Sequence, residues 1–359
     1  MKTFSIKFKV GSLELDAIVT VSDPHQKFKV EMVTGEPDPI LLRRSVTGEW
    51  SIENAGARAL SAEQFKELQQ VIENELSKFY SSGKILVLTD FSESSFNAAR
   101  YAASLTKQIG ASVLTLYHSY DYVPVATTPF ALIPPEQAHS EKESYVKLGK
   151  LKESLEQLVA EDTVIELISD CRTLISAVNT ITEQQQIALL VMGMDGKGEI
   201  EKVITGSNTI TIANECRIPL LVVPYQAKFN PIKNILFACD LKNVTKTVPV
   251  YPINVLVEAI KAQFSILFVN KTDEKAHSGA ATELENLHQI WNEHDVKYYY
   301  TDHEKIENAI IDFADEHQMD LLITVPKEYG FFERIFHRSL TRNLAYRTHI
   351  PLLVFKEEI

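Results

Sequence analysis

The stretch Ile85-Leu86-Val87-Leu88-Thr89-Asp90-Phe91-Ser92 is a short apolar run that stops on a hydroxyl and an acid. A run of this length, followed by helical spacing over 93–109, reads as a strand buried on both faces. Four more such runs follow it: Val113-Leu114-Thr115-Leu116, Val164-Ile165-Glu166-Leu167-Ile168, Ala188-Leu189-Leu190-Val191 and Leu220-Leu221-Val222-Val223. Between them lie helix candidates at 93–109, 137–160, 172–185 and 207–216. The alternation predicts a parallel sheet with helices on both faces, and the stripe Leu151, Leu155 and Leu158 is the core-facing side of one of those helices.

The same order then recurs. Strand candidates stand at Ile235-Leu236-Phe237-Ala238, Ser265-Ile266-Leu267-Phe268-Val269, 297–300, Leu321-Leu322-Ile323-Thr324 and Leu352-Leu353-Val354-Phe355. Ile85-Leu86 to Asp90 parallels Ile235-Leu236 to Asp240, and Arg217-Ile218-Pro219-Leu220-Leu221-Val222 parallels His349-Ile350-Pro351-Leu352-Leu353-Val354. Two copies in one chain predict a pseudo-symmetric pair whose final strands meet across the pseudo-twofold, as in a homodimer. The expected divisions are 1–80, 84–226 and 232–357.

Residues 1–80 follow another pattern. Alternation in 4–10, 13–21, 27–33 and 40–50 predicts an antiparallel meander. Ser61-Ala62-Glu63-Gln64 then opens a helix in capping style, with Phe65, Leu68, Val71, Ile72 and Leu76 on one stripe. This piece is a small α+β module, joined through Ser81-Ser82-Gly83.

Length and composition narrow the function classes. The chain has 359 residues, 45% hydrophobic and 23% charged, which suits several packed domains and not a fibre or a long disordered chain. A formal charge of −12 repels phosphate polymers and anionic membranes, so nucleic acid and membrane surfaces are not expected partners. No apolar run approaches the roughly 20 residues that span a bilayer, and the start of the chain has no signal-peptide core; a cytoplasmic home is expected. Cys171, Cys216 and Cys239 form no Cys-x-x-Cys pair, so no disulfide framework or thiolate zinc site is expected.

The richest chemistry lies in 190–209. A buried strand runs into Gly193-Met194-Asp195-Gly196-Lys197-Gly198, and a helix opens at Gly206-Ser207-Asn208-Thr209. Glycines let a backbone approach closely, and a helix start presents several N–H donors in one direction; together they make an anion cradle. Ser207 and Thr209 add hydroxyls, and Lys197 and Lys202 add charge at the rim. Neither the P-loop pattern nor the dinucleotide fingerprint is present.

The spacing Gly193-x2-Gly196-x9-Gly206-Ser207 resembles the nucleotide-binding motif of the universal stress protein family. Residues 85–92 with their helix resemble that family's first strand and turn, and the resemblance covers about 84–357 as two tandem copies. It implies an α/β fold of two parallel-sheet domains with strand order 3-2-1-4-5, similar to the adenine nucleotide alpha hydrolases, behind the small α+β module. It also implies ATP or another adenine nucleotide as the ligand. Asp90 would meet the nucleoside and the backbone near Ser119 the adenine, with Met192, Gly193, Gly196, Gly206, Ser207, Asn208 and Thr209 around the ribose and phosphates. Asp195 departs from the pattern: an acid beside phosphates costs affinity unless a divalent cation intervenes, which leaves room for Mg²⁺.

The second copy lacks the cradle. Val325 stands opposite Gly193, Glu328 opposite Gly196 and Arg338 opposite Gly206, and only Ser339 persists opposite Ser207. One nucleotide site per chain is therefore expected. No general base, nucleophile or arginine finger is positioned for phosphoryl transfer, which favours a stress-response sensor acting on an unknown protein partner over a catalyst. Two rivals stand: a slow Mg²⁺-dependent ATPase or nucleotidyl-transfer enzyme, and a stress protein that binds no nucleotide. Simpler roles compete residue by residue. Asp90 can cap the following helix, His118 can be a hydrogen-bonded core histidine, Ser94 and Ser95 can cap, and 122–137 can be a plain surface loop. His288 and His294 are too far apart for a helical metal pair, and the basic run Arg334, His337, Arg338, Arg342 and Arg347 can be a solvated helix face.

Overall fold

The β-branched and leucine-rich runs form strands because their side chains fill both faces of a pleated surface, and helices of mixed polarity cover them. The computed structural model describes residues 2–10, 13–22, 27–33, 38–44, 49–56, 60–81, 83–120, 135–194, 212, 218–271, 280–291, 295–325 and 350–356. Among these, no helix is long and apolar enough to cross a membrane.

The first module is a five-stranded antiparallel sheet in sequence order. Its strands are β1 (Lys2–Val10), β2 (Leu13–Ser22), β3 (Lys27–Met32), β4 (Ile40–Arg44) and β5 (Trp50–Asn54). The segment 40–50, expected as one strand, is divided between β4 and β5: Arg44 pairs with Trp50, so the chain reverses between them. Helix α1 (Ala62–Ser81) lays Leu68 and Ile72 on Phe8, Val19, Phe28 and Val30. Its start has the reciprocal capping bonds expected of Ser61 and Gln64, at 3.2 Å and 2.9 Å. The Leu76 side chain lies outside what is described. The module meets the rest of the chain where the Arg44 guanidinium sits 4.1 Å over the Tyr251 ring.

The remainder builds one ten-stranded sheet. Its first five strands are β6 (Lys84–Leu88), β7 (Val113–Ser119), β8 (Val164–Asp170), β9 (Ile187–Met194) and β10 (Leu220–Pro224). The second five are β11 (Asn234–Cys239), β12 (Gln263–Lys271), β13 (Val296–His303), β14 (Leu321–Thr324) and β15 (Leu352–Val354). The order across the sheet is β13-β12-β11-β14-β15-β10-β9-β6-β7-β8. Each half therefore has strand order 3-2-1-4-5, parallel throughout, and the halves join where β10 and β15 pair antiparallel, Leu221 opposite Leu353.

Helices cover both faces. In the first half α2 (Glu93–Ile109) and α3 (Pro135–Leu155) lie on one face and α4 (Leu174–Gln185) on the other. In the second half α5 (Val244–Thr247), α6 (Val250–Ile260) and α7 (Ala280–Ile290) share the face of α2, and α8 (Ile306–Glu316) takes the opposite one. One apolar layer consequently runs under both halves, from Leu148, Leu151 and Leu155 to Phe237, Phe264 and Trp291. Gln108 of α2 bridges the halves. Its amide group donates to the carbonyls of Ile232 (2.8 Å) and Ile260 (3.1 Å) and accepts from the Ile232 N–H (2.9 Å).

Candidate functional site

Asp90, Ser119 and Gly193 stand at the carboxyl ends of β6, β7 and β9, three neighbouring strands. The chain moves outward from β6 to β7 and β8, then returns to β9 on the other side of β6. Strand order thus reverses between β6 and β9, and the crevice at such a reversal is where open α/β sheets receive ligands.

The turn after β6 is tightly built. Thr89 continues the ladder by donating its N–H to the Tyr117 carbonyl at 2.9 Å. The Asp90 carboxylate accepts the Ser92 N–H at 3.0 Å, and the Thr89 hydroxyl accepts the Phe91 N–H at 3.0 Å. Between them Phe91 takes φ +63°, a left-handed conformation that costs a residue with a Cβ and persists only because its neighbours impose it. Ser92 then caps α2, its hydroxyl accepting the Ser95 N–H at 3.3 Å. Burial alone would raise the Asp90 pKa, but the hydrogen bonds from Ser92 and Ser95 outweigh it and hold the carboxyl below its ordinary range. Asp90 thus ties the turn at the strand end while Ser92, and not Asp90, caps α2, and the Asp90 residue stays exposed.

Gly193 makes a different demand from a bare turn. A Cβ placed there would lie 2.8 Å from the Ser95 nitrogen and closer still to the Ser94 carbonyl. The missing side chain is what lets the first turn of α2 press against β9. Met192, next to it, buries its side chain beside Leu88, Leu190 and Ile212. Gly196, Gly206, Ser207, Asn208 and Thr209 lie outside the described residues, as do Asp195, most of the helix candidate 207–216, most of the loop 122–137, His294 and the basic run from Arg334.

On the outer side, Ser119 donates its hydroxyl to the Arg172 carbonyl at 2.6 Å. The Tyr117 hydroxyl donates to Asp170 at 2.9 Å, and Arg172 grips the same carboxylate through Nε at 2.8 Å and through an Nη. Burial and the Asp170 bond push the Tyr117 phenol well above its ordinary pKa. Asp170 itself is pushed up by burial and pulled down further by Arg172, for a net lowering. His118 is a hydrogen-bonded, half-buried histidine whose ring lies 4.4 Å from that of Phe91. The His288 ring lies 3.9 Å from that of Tyr298, tilted by 36°. Sequence reasoning passed over Phe91, Ser144, Lys147 and Ser169. The available signal was that the leucine stripe of α3, continued toward its start, meets Ser144 in place of a fourth apolar residue.

Residues 82–224 match the model of the "Universal stress protein family". A universal stress protein of Methanocaldococcus jannaschii is 26% identical over 148 residues, 39% of this chain and 81% of that protein. A universal stress protein structure from Archaeoglobus fulgidus aligns over 77% of this chain and 98% of its own, at 15% identity and TM-score 0.58. That likeness concerns the fold, and it reaches beyond 82–224. A shorter structure, a universal stress protein in complex with cAMP, covers 39% of this chain and 96% of its own, at 18% identity and TM-score 0.30.

Proposed function

We propose that the chain, whose residues 82–224 match the universal stress protein family, binds an adenine nucleotide, ATP or a close relative, in its first half. Occupancy would bias a conformation or a protein contact in a stress response. The observation that supports this most is the reversal of strand order between β6 and β9, with the exposed Asp90 at the carboxyl end of one strand and Gly193 at that of the other. A carboxylate suits the hydroxyls of a nucleoside, and a strand end opening into a glycine-rich loop suits phosphates. In this reading the backbone near Ser119 meets the base. Met192, Gly193, Gly196, Gly206, Ser207, Asn208 and Thr209 surround the ribose and phosphates, and Mg²⁺ enters only as counter-charge where Asp195 comes near them.

The divisions 1–80, 84–226 and 232–357 belong to the same proposal. The middle unit carries the site, the last is a second copy that lost it, and the first is an arm or cap available to a protein partner. A cytoplasmic setting goes with this reading. In this proposal the protein acts as a sensor, with the Asp90 carboxylate engaged in its own turn by the Ser92 N–H.

Calorimetric titration of ATP into wild-type protein and into Gly196→Glu, which places the second half's residue in the first, tests the reading. Saturable heat at one nucleotide per chain is expected, lost in the variant; equal heats in both proteins would remove the proposal. Mg²⁺-dependent turnover that disappears in Asp195→Ala would move the protein to the ATPase class.

A further inference from the structure

Residues 225–233 carry the chain from β10 to β11 without forming a strand or helix of their own. A connector of this kind ordinarily runs over the surface with its backbone groups in water. This one is bonded to the protein at both ends. The Tyr225 N–H donates to the Met194 carbonyl at 3.1 Å, and the Asn97 amide donates to the carbonyls of Pro224 at 3.0 Å and Ala227 at 2.9 Å. At the far end the Gln108 amide accepts the Ile232 N–H and donates to the Ile232 carbonyl, and the Lys233 N–H donates to the Asp320 carboxylate at 2.8 Å. Between these ends Ala227 is buried and the rings of Phe229 and Tyr101 meet edge to face, their centroids 5.1 Å apart.

The partners on α2 form one stripe. Glu93 accepts the Tyr225 hydroxyl at 2.9 Å. Glu93, Asn97, Tyr101 and Gln108 follow one another at steps of four, four and seven, the repeat that keeps side chains on one side of a helix. The connector therefore lies along α2 as along a rail. The first turn of that rail is the one that presses on Gly193. Its last turn reaches the second half, where Gln108 also donates to the carbonyl of Ile260, the last residue of α6, at 3.1 Å. One end of the connector sits at the strand reversal, bonded to the residue after Gly193, and the other leads into β11.

We propose that 225–233 is a strap that couples the strand reversal of the first half to the second half. Two side-chain amides fasten it, Asn97 at one end and Gln108 at the other, and both stand on the same helix. Loosening either end loosens the stripe that holds the other, so the two ends open and close as one unit. The inference stands on these contacts alone and requires no nucleotide. Within the nucleotide reading it gives occupancy at the strand reversal a route to the second half.

Hydrogen exchange of the full chain, read by peptide mass spectrometry, tests the coupling at the end remote from each substitution. Asn97→Ala removes both bonds at the first end and is expected to speed exchange at 230–233 about tenfold; Gln108→Ala should do the same at 225–227. Tyr225→Phe removes only the bond to the exposed Glu93 and should speed exchange at 230–233 about threefold. It carries the test where circular dichroism shows that an amide variant is not folded. In all three, β7 should exchange as in the wild type. Acceleration confined to the altered end overturns the strap, and so does equal acceleration in β7, which is a general loss of stability.

Discussion

The two halves of the ten-stranded sheet share a topology and part company at one strand end. In each, the first strand closes on an Asp whose carboxylate accepts the N–H two residues on, Ser92 to Asp90 at 3.0 Å and Lys242 to Asp240 at 3.1 Å. The residue between is left-handed in both, Phe91 at φ +63° and Leu241 at +51°. Register fixes the remaining correspondence: Leu190 faces Leu220 as Leu322 faces Leu352, which puts Gly193 and Val325 at the same level. At Gly193 an unbroken α2 presses its first turn on the strand, while beside Val325 the corresponding helix is divided into α5 and α6. Pro249 has no N–H with which to continue the helix, and the Val244 N–H donates to the Glu283 carboxylate at 2.8 Å. One turn has been kept twice, and the close approach of helix to strand only once.

The largest expected effect falls on what joins the halves. Leu221 and Leu353 face each other across the antiparallel seam, 2% and 1% exposed. Leu353→Ala should cost about 2–5 kcal/mol in denaturant unfolding. A single transition is expected, because one apolar layer underlies both halves; two separate transitions would mean that the halves are independent and the seam is incidental. Next comes Gly193→Val, which gives the first half the residue of the second. Its Cβ meets the backbone of Ser94 and Ser95, and overpacking of this kind costs about 1–3 kcal/mol, read as a lowered Tm. An unchanged Tm would show that the approach of α2 does not depend on the glycine.

The smallest effect is electrostatic. The folded-state pKa of Asp90 is lowered, so its carboxylate adds stability above the unfolded value near about 4, and that contribution is lost as pH falls through the folded value. In Asp90→Asn the acid limb of the stability profile should be shallower than in the wild type, and the two curves should converge at low pH. Curves that stay parallel throughout would mean that Asp90 titrates alike in both states.

Much of this was legible beforehand. The inner strands of the large sheet lie where short apolar runs end in polar or turn residues, since burial on both faces leaves a continuous apolar signature, whereas the edge strands β8 and β13 carry mixed runs with exposed residues. The division of 40–50 into β4 and β5 was not legible, because alternation alone does not mark where a ladder turns back. For the site, the sequence pointed to Asp90 and Gly193 by their spacing and type. It read Gly193 as part of a phosphate cradle and not as the place where α2 presses on β9, and it passed over the serines of α3.

What the sequence determined by itself is local: strand and helix periodicity, the Asp that ends the first strand of each half, and a valine at 325 where the first half has Gly193. The tertiary structure alone decided that Ser94 fills the space Gly193 leaves open, that Ser144 and Ser169 close a ring on His118, and that Arg44 rests on Tyr251. The physical reason is range. Periodicity follows from neighbours a few residues apart, which any reading of the chain contains, whereas these contacts join residues tens to hundreds of positions apart and exist only once the sheet has set its strands side by side.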